Sequence, residues 1–329
     1  MSLPPEEHAI GRREALLQLL RLAGAGAGVA ALGSWLAGRS FRPEDSQGAT
    51  IKRDFGVSQN PKLPEMVVAQ GEDPRALVRR ALEELGGIRR FVARGDVVVV
   101  KPNIGWDRTP EQAANTNPNV VGEIVRLCLA AGAAKVVVTD VSCNEPRRCF
   151  ARSGIAEAAR AAGAQVVLPE ESRFQETDLG GAVLTSWPVF EPFLSADKMI
   201  NVPIAKHHGL TGATLGMKNW YGILGGQRGR LHQHINECLA DLAAFMRPTL
   251  TIIDAYRVLL SNGPTGGNLE DVLLKKTLLA GTDPVALDAW AAKAYWNLDY
   301  HRLPYLKLAA DRGLGTYEFE KVSTRAVAL

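Results

Sequence analysis

DVVVVKPN, residues 96–103, opens on a carboxylate and four valines and closes on a lysine, a proline and an asparagine. Four unbroken β-branched residues lack the alternation of a half-exposed strand. They suit a strand covered on both faces, as in a parallel sheet. A second run of this kind, KVVVT, stands at 135–139. Between the two, Asn117-Pro118 opens a helix that runs through Ala131 and ends at Gly132. Asn caps, Pro suits the first helical position, and Gly permits the exit.

The same alternation extends in both directions. Met66–Ala69 reads as a strand, and Asp73-Pro74 starts a helix to about Leu85. Downstream, a helix at 154–162, a strand at 165–168 and a strand at 198–202 follow. A helix at 236–245 precedes strands at 249–253 (TLTII) and 277–280. Asp283-Pro284 then begins a helix to about Tyr295, and a last helix covers 305–312. Strands separated by helices of this length imply βαβ units, hence an α/β fold: a mostly parallel sheet with helices on both faces. Residues 65–329 read as one domain. The irregular stretch 169–196, with a short strand at 183–187, reads as an inserted smaller lobe.

The first 40 residues differ from the rest. Arg12-Arg13 precedes a Gly/Ala-rich apolar run from about Leu22 to Ala37, the layout of an export signal and similar to the twin-arginine type. This places the protein in the periplasm or outside the cell, with the uncleaved run as its one attachment to a membrane. Gly24, Gly26 and Gly28 imitate a dinucleotide fingerprint, but no strand precedes them and no βαβ unit surrounds them. Residues 41–64 are polar, with Pro and Gly, and read as a linker.

The chain has 329 residues, 46% of them hydrophobic, and a net charge of +3 with no basic cluster, which argues against nucleic acid as a partner. None of the four cysteines forms a CxxC pair, which argues against an intrinsic iron–sulfur cluster or a zinc ribbon. Cys128 and Cys238 fall in helical patterns and read as buried thiols. Cys143 and Cys149 lie in a loop, placed to form a disulfide in an exported protein.

Ligands of open α/β sheets bind beyond the carboxyl ends of the strands. Lys101 and Asn103 follow the first valine strand, Asp140 the second, Asp254 the strand at 249–253, and Asp283 the strand at 277–280. The strand at 198–202 leads into NVPIAKHHGLTGATLGMKNWYGILGG, residues 201–226, read as a loop bearing Lys206, His207, His208, Lys218 and Asn219. Four of the six histidines, His207, His208, His232 and His234, fall in this region. If the segment around 233 is extended, His232 and His234 share a face and can act as paired metal ligands. Each residue has a plainer reading as well: Asp283 as a helix cap, Asp140 and Asp254 as turn starters, the histidines as surface groups. SNGPTGGN, residues 261–268, reads as a lid over the crevice or as a long turn.

VVVVKPNIGW, the NTNP at 115–118, AGAAKVVVTD, LSADKMINVPIAKHH, GMKNWYGIL, LHQHINECLADL, TLTIIDA and LLAGTDPVALDA occur in that order. Together they resemble the family called domain of unknown function 362, from about Val97 to Trp290. The resemblance implies export and, in some relatives, association with iron–sulfur clusters that this cysteine set does not supply. It also implies that His208, at the last position of the family's Lys-x-His, is the stronger of the paired histidines, and it covers Lys218-Asn219. The function expected is an exported enzyme whose catalytic groups are Lys206, His208, Lys218 and Asn219. Lys101, Asn103, Asp140, Asp254 and Asp283 would bind a small anionic substrate, and His207, His208, His232 and His234 would hold a divalent metal. Redox or isomerase chemistry on a small organic acid fits such a site, with a distant resemblance to nickel-dependent lactate racemases as a minor reading. The alternative is a non-catalytic periplasmic anion-binding protein or a redox protein served by a partner subunit.

Overall fold

The computed structural model describes residues 53–329; the export signal and the first half of the expected linker lie outside them. In chain order the regular elements are β1 (Arg53–Asp54), β2 (Met66–Gln70), α1 (Pro74–Glu84), β3 (Val97–Pro102), α2 (Pro118–Ala131) and β4 (Lys135–Val138). Next come α3 (Pro146–Arg152), α4 (Ile155–Ala161), β5 (Gln165–Val166), β6 (Phe174–Asp178), β7 (Ser186–Phe190), β8 (Lys198–Val202), β9 (Ile204–His208) and β10 (Gly212–Thr214). The remainder are α5 (Gly216–Asn219), α6 (Ile235–Phe245), β11 (Met246–Arg247), β12 (Leu250–Leu259), β13 (Val272–Gly281), α7 (Pro284–Trp296), α8 (Pro304–Asp311) and β14 (Thr324–Ala328).

The main sheet runs β14-β2-β13-β12-β8-β3-β4-β5, with β9 on β12 and β10 on β9. All its pairings are parallel except those made by β13 and β10. The fold is α/β with a mostly parallel sheet. The valine run explains why: Val98 and Val100 face a core built with α1, α2 and α4, whereas Val99 faces a second core built with α5–α8. Both faces of β3 are covered, so both sets of side chains can be apolar. The helix caps act locally. Asn117 accepts from Asn119 N at 3.0 Å, and Gly132 leaves the helix at φ 103°.

Three expectations need correction. Residues 204–208 are strand, not loop: beyond Pro203 the chain continues along β12 as β9 and turns back as β10. Strand β12 runs on to Leu259, so Asp254 lies within it, paired with Leu278 and Ile204, rather than just past its end. Strand β13 is antiparallel to β12, with Gly281 opposite Thr251, so Asp283 emerges at the amino edge of the parallel strands. In each case pairing with a distant strand determined the outcome.

Residues 169–196 contain the hairpin β6–β7. Its turn is held by buried Asp241, which accepts from the backbone N–H groups of Ala182, Val183 and Leu184 and pairs with Arg312 at 2.6 Å. Within 53–64, β1 pairs with β11 and Phe55 is buried. Helix α3 and strand β14 have no counterpart in the sequence reading.

Candidate active site

Strand order reverses between β3 and β8. The chain moves outward through β3, β4 and β5, crosses back by way of the hairpin, and resumes at β8 on the other side of β3. At such a switch point the loops beyond the strand ends part and leave a crevice. A cavity of about 600 Å³ opens there, lined by residues that follow β3, β4, β5 and β8 and by α5 and its sequel.

Its floor is a buried ion pair. Lys101 Nζ lies 2.7 Å from Asp140 Oδ1 and both side chains are buried. Asp140 Oδ2 accepts from Ile104 N at 2.6 Å, and Lys101 also donates to Pro102 O at 3.1 Å. Burial pushes the Lys101 ammonium below its ordinary range, and Asp140 pulls it back. Gly222 caps this pair: a Cβ there would fall on Asp140 Oδ1 and come within 2.7 Å of Lys101 Nζ. Glycine is what allows the chain to pass so close, and Val141 N donates to Gly222 O to hold it.

Beside the floor runs a chain of amides. Lys206 Nζ donates to Asn103 Oδ1 at 3.0 Å and to Ala114 O at 2.6 Å. Asn103 Nδ2 donates to Asn219 Oδ1, and Asn219 Nδ2 to Asn201 Oδ1 and Lys101 O. These contacts lock the amide orientations and leave little room for adjustment.

Lys218 is different. It is nine-tenths buried, yet its ammonium makes no hydrogen bond among the described residues; it sits 3.8 Å from the centroid of the Tyr221 ring. Burial lowers its pKa to about 8, and that of Lys206 to about 7. Burial lowers Lys206 the further of the two, but its ammonium is held by two carbonyl oxygens that favour the charged form, whereas Lys218 has no acceptor among the described residues to keep its proton in place; on that geometry Lys218 is the freer base. His208 Nδ1 faces the N–H groups of Leu210 and Thr211 at 3.2 and 3.3 Å, so the proton of the neutral ring belongs on Nε2. Burial, then the charges of Lys218 and Lys206, lower the His208 pKa to about 3, which keeps the ring neutral near pH 7. Two further polar atoms of the lining, Thr214 Oγ1 and Tyr221 OH, are buried without a partner among the described residues.

Helix α5, which carries Lys218 and Asn219, is only four residues long. Asp288 of α7 holds it: fully buried, it accepts from Gly216 N at 2.7 Å and Met217 N at 2.9 Å. Desolvation raises the Asp288 pKa to about 7.

The fold therefore brings Lys101, Asn103, Asp140, Lys206, His208, Lys218 and Asn219 together. It does not bring the others. Asp254 accepts from Asn117 N at 2.7 Å and anchors the start of α2. Asp283 caps α7 through Val285 N and Ala286 N at the opposite edge. His207 points to the other face of β9 from His208, by strand alternation, and accepts from Gly263 N. His232 lines the cavity mouth, its ring 6.4 Å from that of His208, but its Nδ1 lies 2.9 Å from Gly229 O. His234 is exposed. Residues 228–234 form 3-10 turns, so the shared face expected of His232 and His234 does not form. Among the described residues no three His, Cys, Asp or Glu side chains converge as a ligand set, and these four histidines do not fit a metal.

Sequence reasoning missed Asn201, Tyr221, Gly222, Arg228 and Cys143 as residues of this site. Arg228 donates to Tyr221 O and Ser142 O at the rim, 3.7 Å from Cys143 Sγ. Cys143 and Cys149 are both free thiols; Cys143 is exposed at the cavity and Cys149 is buried. Pro264 brings the 261–268 loop to the cavity wall. A glycine beside a buried ion pair leaves no local mark in sequence.

Residues 98–293 match the family described as Domain of unknown function (DUF362). A thylakoid-associated protein of Synechocystis sp. is 28% identical over 222 residues, spanning 65% of this chain and 67% of its own length. The structure of the lactate racemase apoprotein from Thermoanaerobacterium thermosaccharolyticum aligns with a TM-score of 0.41 at 13% identity, over 75% of this chain and 62% of that one. This chain thus spans under two thirds of that neighbour.

Proposed function

We propose that this chain, which belongs to the DUF362 family, is an enzyme that moves a proton on a small anionic substrate held in the cavity. The observation that carries this reading is Lys218: a buried amine with a pKa of about 8, no hydrogen-bond acceptor among the described residues, and a place in the lining of an open cavity. In this reading the neutral amine takes a proton from the carbon beside a carboxylate or carbonyl. His208 offers its Nε2–H to the oxygen that gains charge. Lys206 is the fixed cation, with one ammonium hydrogen beyond the two directed at Asn103 and Ala114. The Lys101–Asp140 pair keeps the floor neutral, so the surplus charge of the pocket is positive and favours an anion. Return of the proton from the Lys218 ammonium, or of a solvent proton that has exchanged with it, to carbon restores the neutral amine and completes the exchange.

The test is proton exchange. Full-length protein is incubated in deuterated buffer with a panel of 2-hydroxy and 2-oxo acids, and loss of the C–H signal is followed by proton NMR. Exchange in the wild type that disappears in a folded Lys218→Met variant is expected. Exchange that survives the substitution would remove Lys218 from the chemistry, and firm retention of an acid without exchange would make the cavity a binding site.

Export is proposed alongside. Arg12-Arg13 and the apolar run after it support the twin-arginine route, and a relative named as thylakoid-associated is in keeping with an exported or membrane-linked setting. Among the described residues no helix is long and apolar enough to cross a membrane. A double Arg12→Lys, Arg13→Lys variant is expected to remain in the cytoplasm on fractionation; normal export of that variant would refute the route.

A further inference from the structure

Resting on the reading of the cavity as an anion site, we propose that its natural ligand is a monocarboxylate with an extended apolar body, not a three- or four-carbon acid. The cavity lining is of two kinds. The ammonium of Lys218 and the neutral imidazole of His208 come from α5 and the end of β9. Phe174, Trp106 and Leu224 also line it, and they come from the hairpin and the loops after β3 and α5. Space for about 600 Å³ is far more than a three-carbon acid fills and lies within the range for ligands of drug size.

The apolar wall is built in advance. The Phe174 ring stacks 5.1 Å from Phe190 and rests against Gly225, where a Cβ would come within 2.5 Å of the ring. Gly225 is clamped in turn: its N–H donates to Pro188 O, and its carbonyl accepts from Trp187 Nε1 at 2.9 Å. A side chain at residue 225 would displace Phe174, so the bare backbone there keeps the ring in the cavity wall. Phe174 and Trp106 remain only half-buried, with apolar surface left for a ligand to cover. Glu171, three residues before Phe174, lines the same cavity. A second carboxylate carried along that apolar wall would meet like charge, which favours a single negative charge on the ligand.

The probes are linear alkanoates titrated calorimetrically into the full-length protein: acetate, butanoate, hexanoate and octanoate, with octanedioate as the dianion. Affinity should rise roughly threefold per added methylene until the wall is covered. Octanedioate should bind at least tenfold more weakly than octanoate. Phe174→Ala should flatten the series, and Lys218→Met should weaken every member alike. Affinity that depends on Lys218 but ignores chain length would overturn the apolar-body inference and leave the anion site standing. A length dependence that survives Phe174→Ala would also overturn it, as association elsewhere. If no member binds in a Lys218-dependent way, the proposed function itself fails.

Discussion

The two edges of the sheet carry inward-facing charged groups and use them in opposite ways. At the amino edge, Asp283 is partly buried and its carboxylate is filled by the N–H groups of Val285, Ala286 and Thr316. At the carboxyl edge, Lys218 lies deeper yet hydrogen-bonds nothing among the described residues, and Thr214 Oγ1 and Tyr221 OH beside it are unpaired among them too. A buried polar group with its partners in place stabilises the fold; one without them costs stability and gains a rationale when a ligand supplies the partner. What sets the two edges apart is unmet hydrogen-bonding capacity.

The comparison breaks most sharply at Lys218. Lys218→Met should lower proton exchange by about a thousandfold, within the range for loss of a general base, while raising the thermal midpoint, because a desolvated charge is removed. A fall in stability would mean that Lys218 is structural after all. Gly222→Ala comes next. Its methyl group would be forced onto Asp140 and Lys101, and overpacking together with a disturbed buried ion pair should cost about 3 kcal/mol in a urea melt.

The paired carboxylates offer a finer contrast. Asp288→Asn retains one acceptor for two backbone donors and should cost about 1–2 kcal/mol. It should also lower exchange, because α5 carries Lys218. Asp283→Asn should cost a similar amount of stability, about 1 kcal/mol for a weakened cap, and leave exchange unchanged. Equal effects of the two on exchange would erase the distinction between the edges.

A pH series tests the same point through linkage. Lys218 binds its proton less tightly folded, near pKa 8, than its ordinary value of 10.5. Below pH 8 both states hold the proton and the cost of burying it is present in full. Between pH 8 and 10.5 the folded protein releases it first, the unfolded chain holds more protons, and stability rises with pH. Wild type should therefore gain up to ~3 kcal/mol relative to Lys218→Met across this window. The smallest effect belongs to His234→Ala. Exposed and remote from the cavity, it should shift stability by under about 0.5 kcal/mol and leave ligand titrations unaltered.

Much of the architecture was legible in the residue order. The valine runs, the Asn117-Pro118 and Asp283-Pro284 helix starts and the stop at Gly132 are local signals, each determined by side chains within a few positions. The same logic put Asn103 and Asp140 just past their strands, where they stand; Lys101, expected there as well, is still within β3, paired with Asn201. His207 and His208 show the limit. As a loop the pair could both have faced one metal; as strand β9 they alternate, and β9 exists because β12 offers it a parallel edge.

Sequence by itself determined where strands and helices begin, and that polar groups gather after β3 and β4, because periodicity, capping and β-branching act over one or two turns of chain. Tertiary structure alone decided that β13 runs backward, that Asp254 and Asp283 serve as anchors, that Gly222 covers an ion pair, and that Asp288 reaches across to α5. Those outcomes depend on which distant segment fills each hydrogen bond, and backbone donors leave no trace in the identity of the residues that carry them.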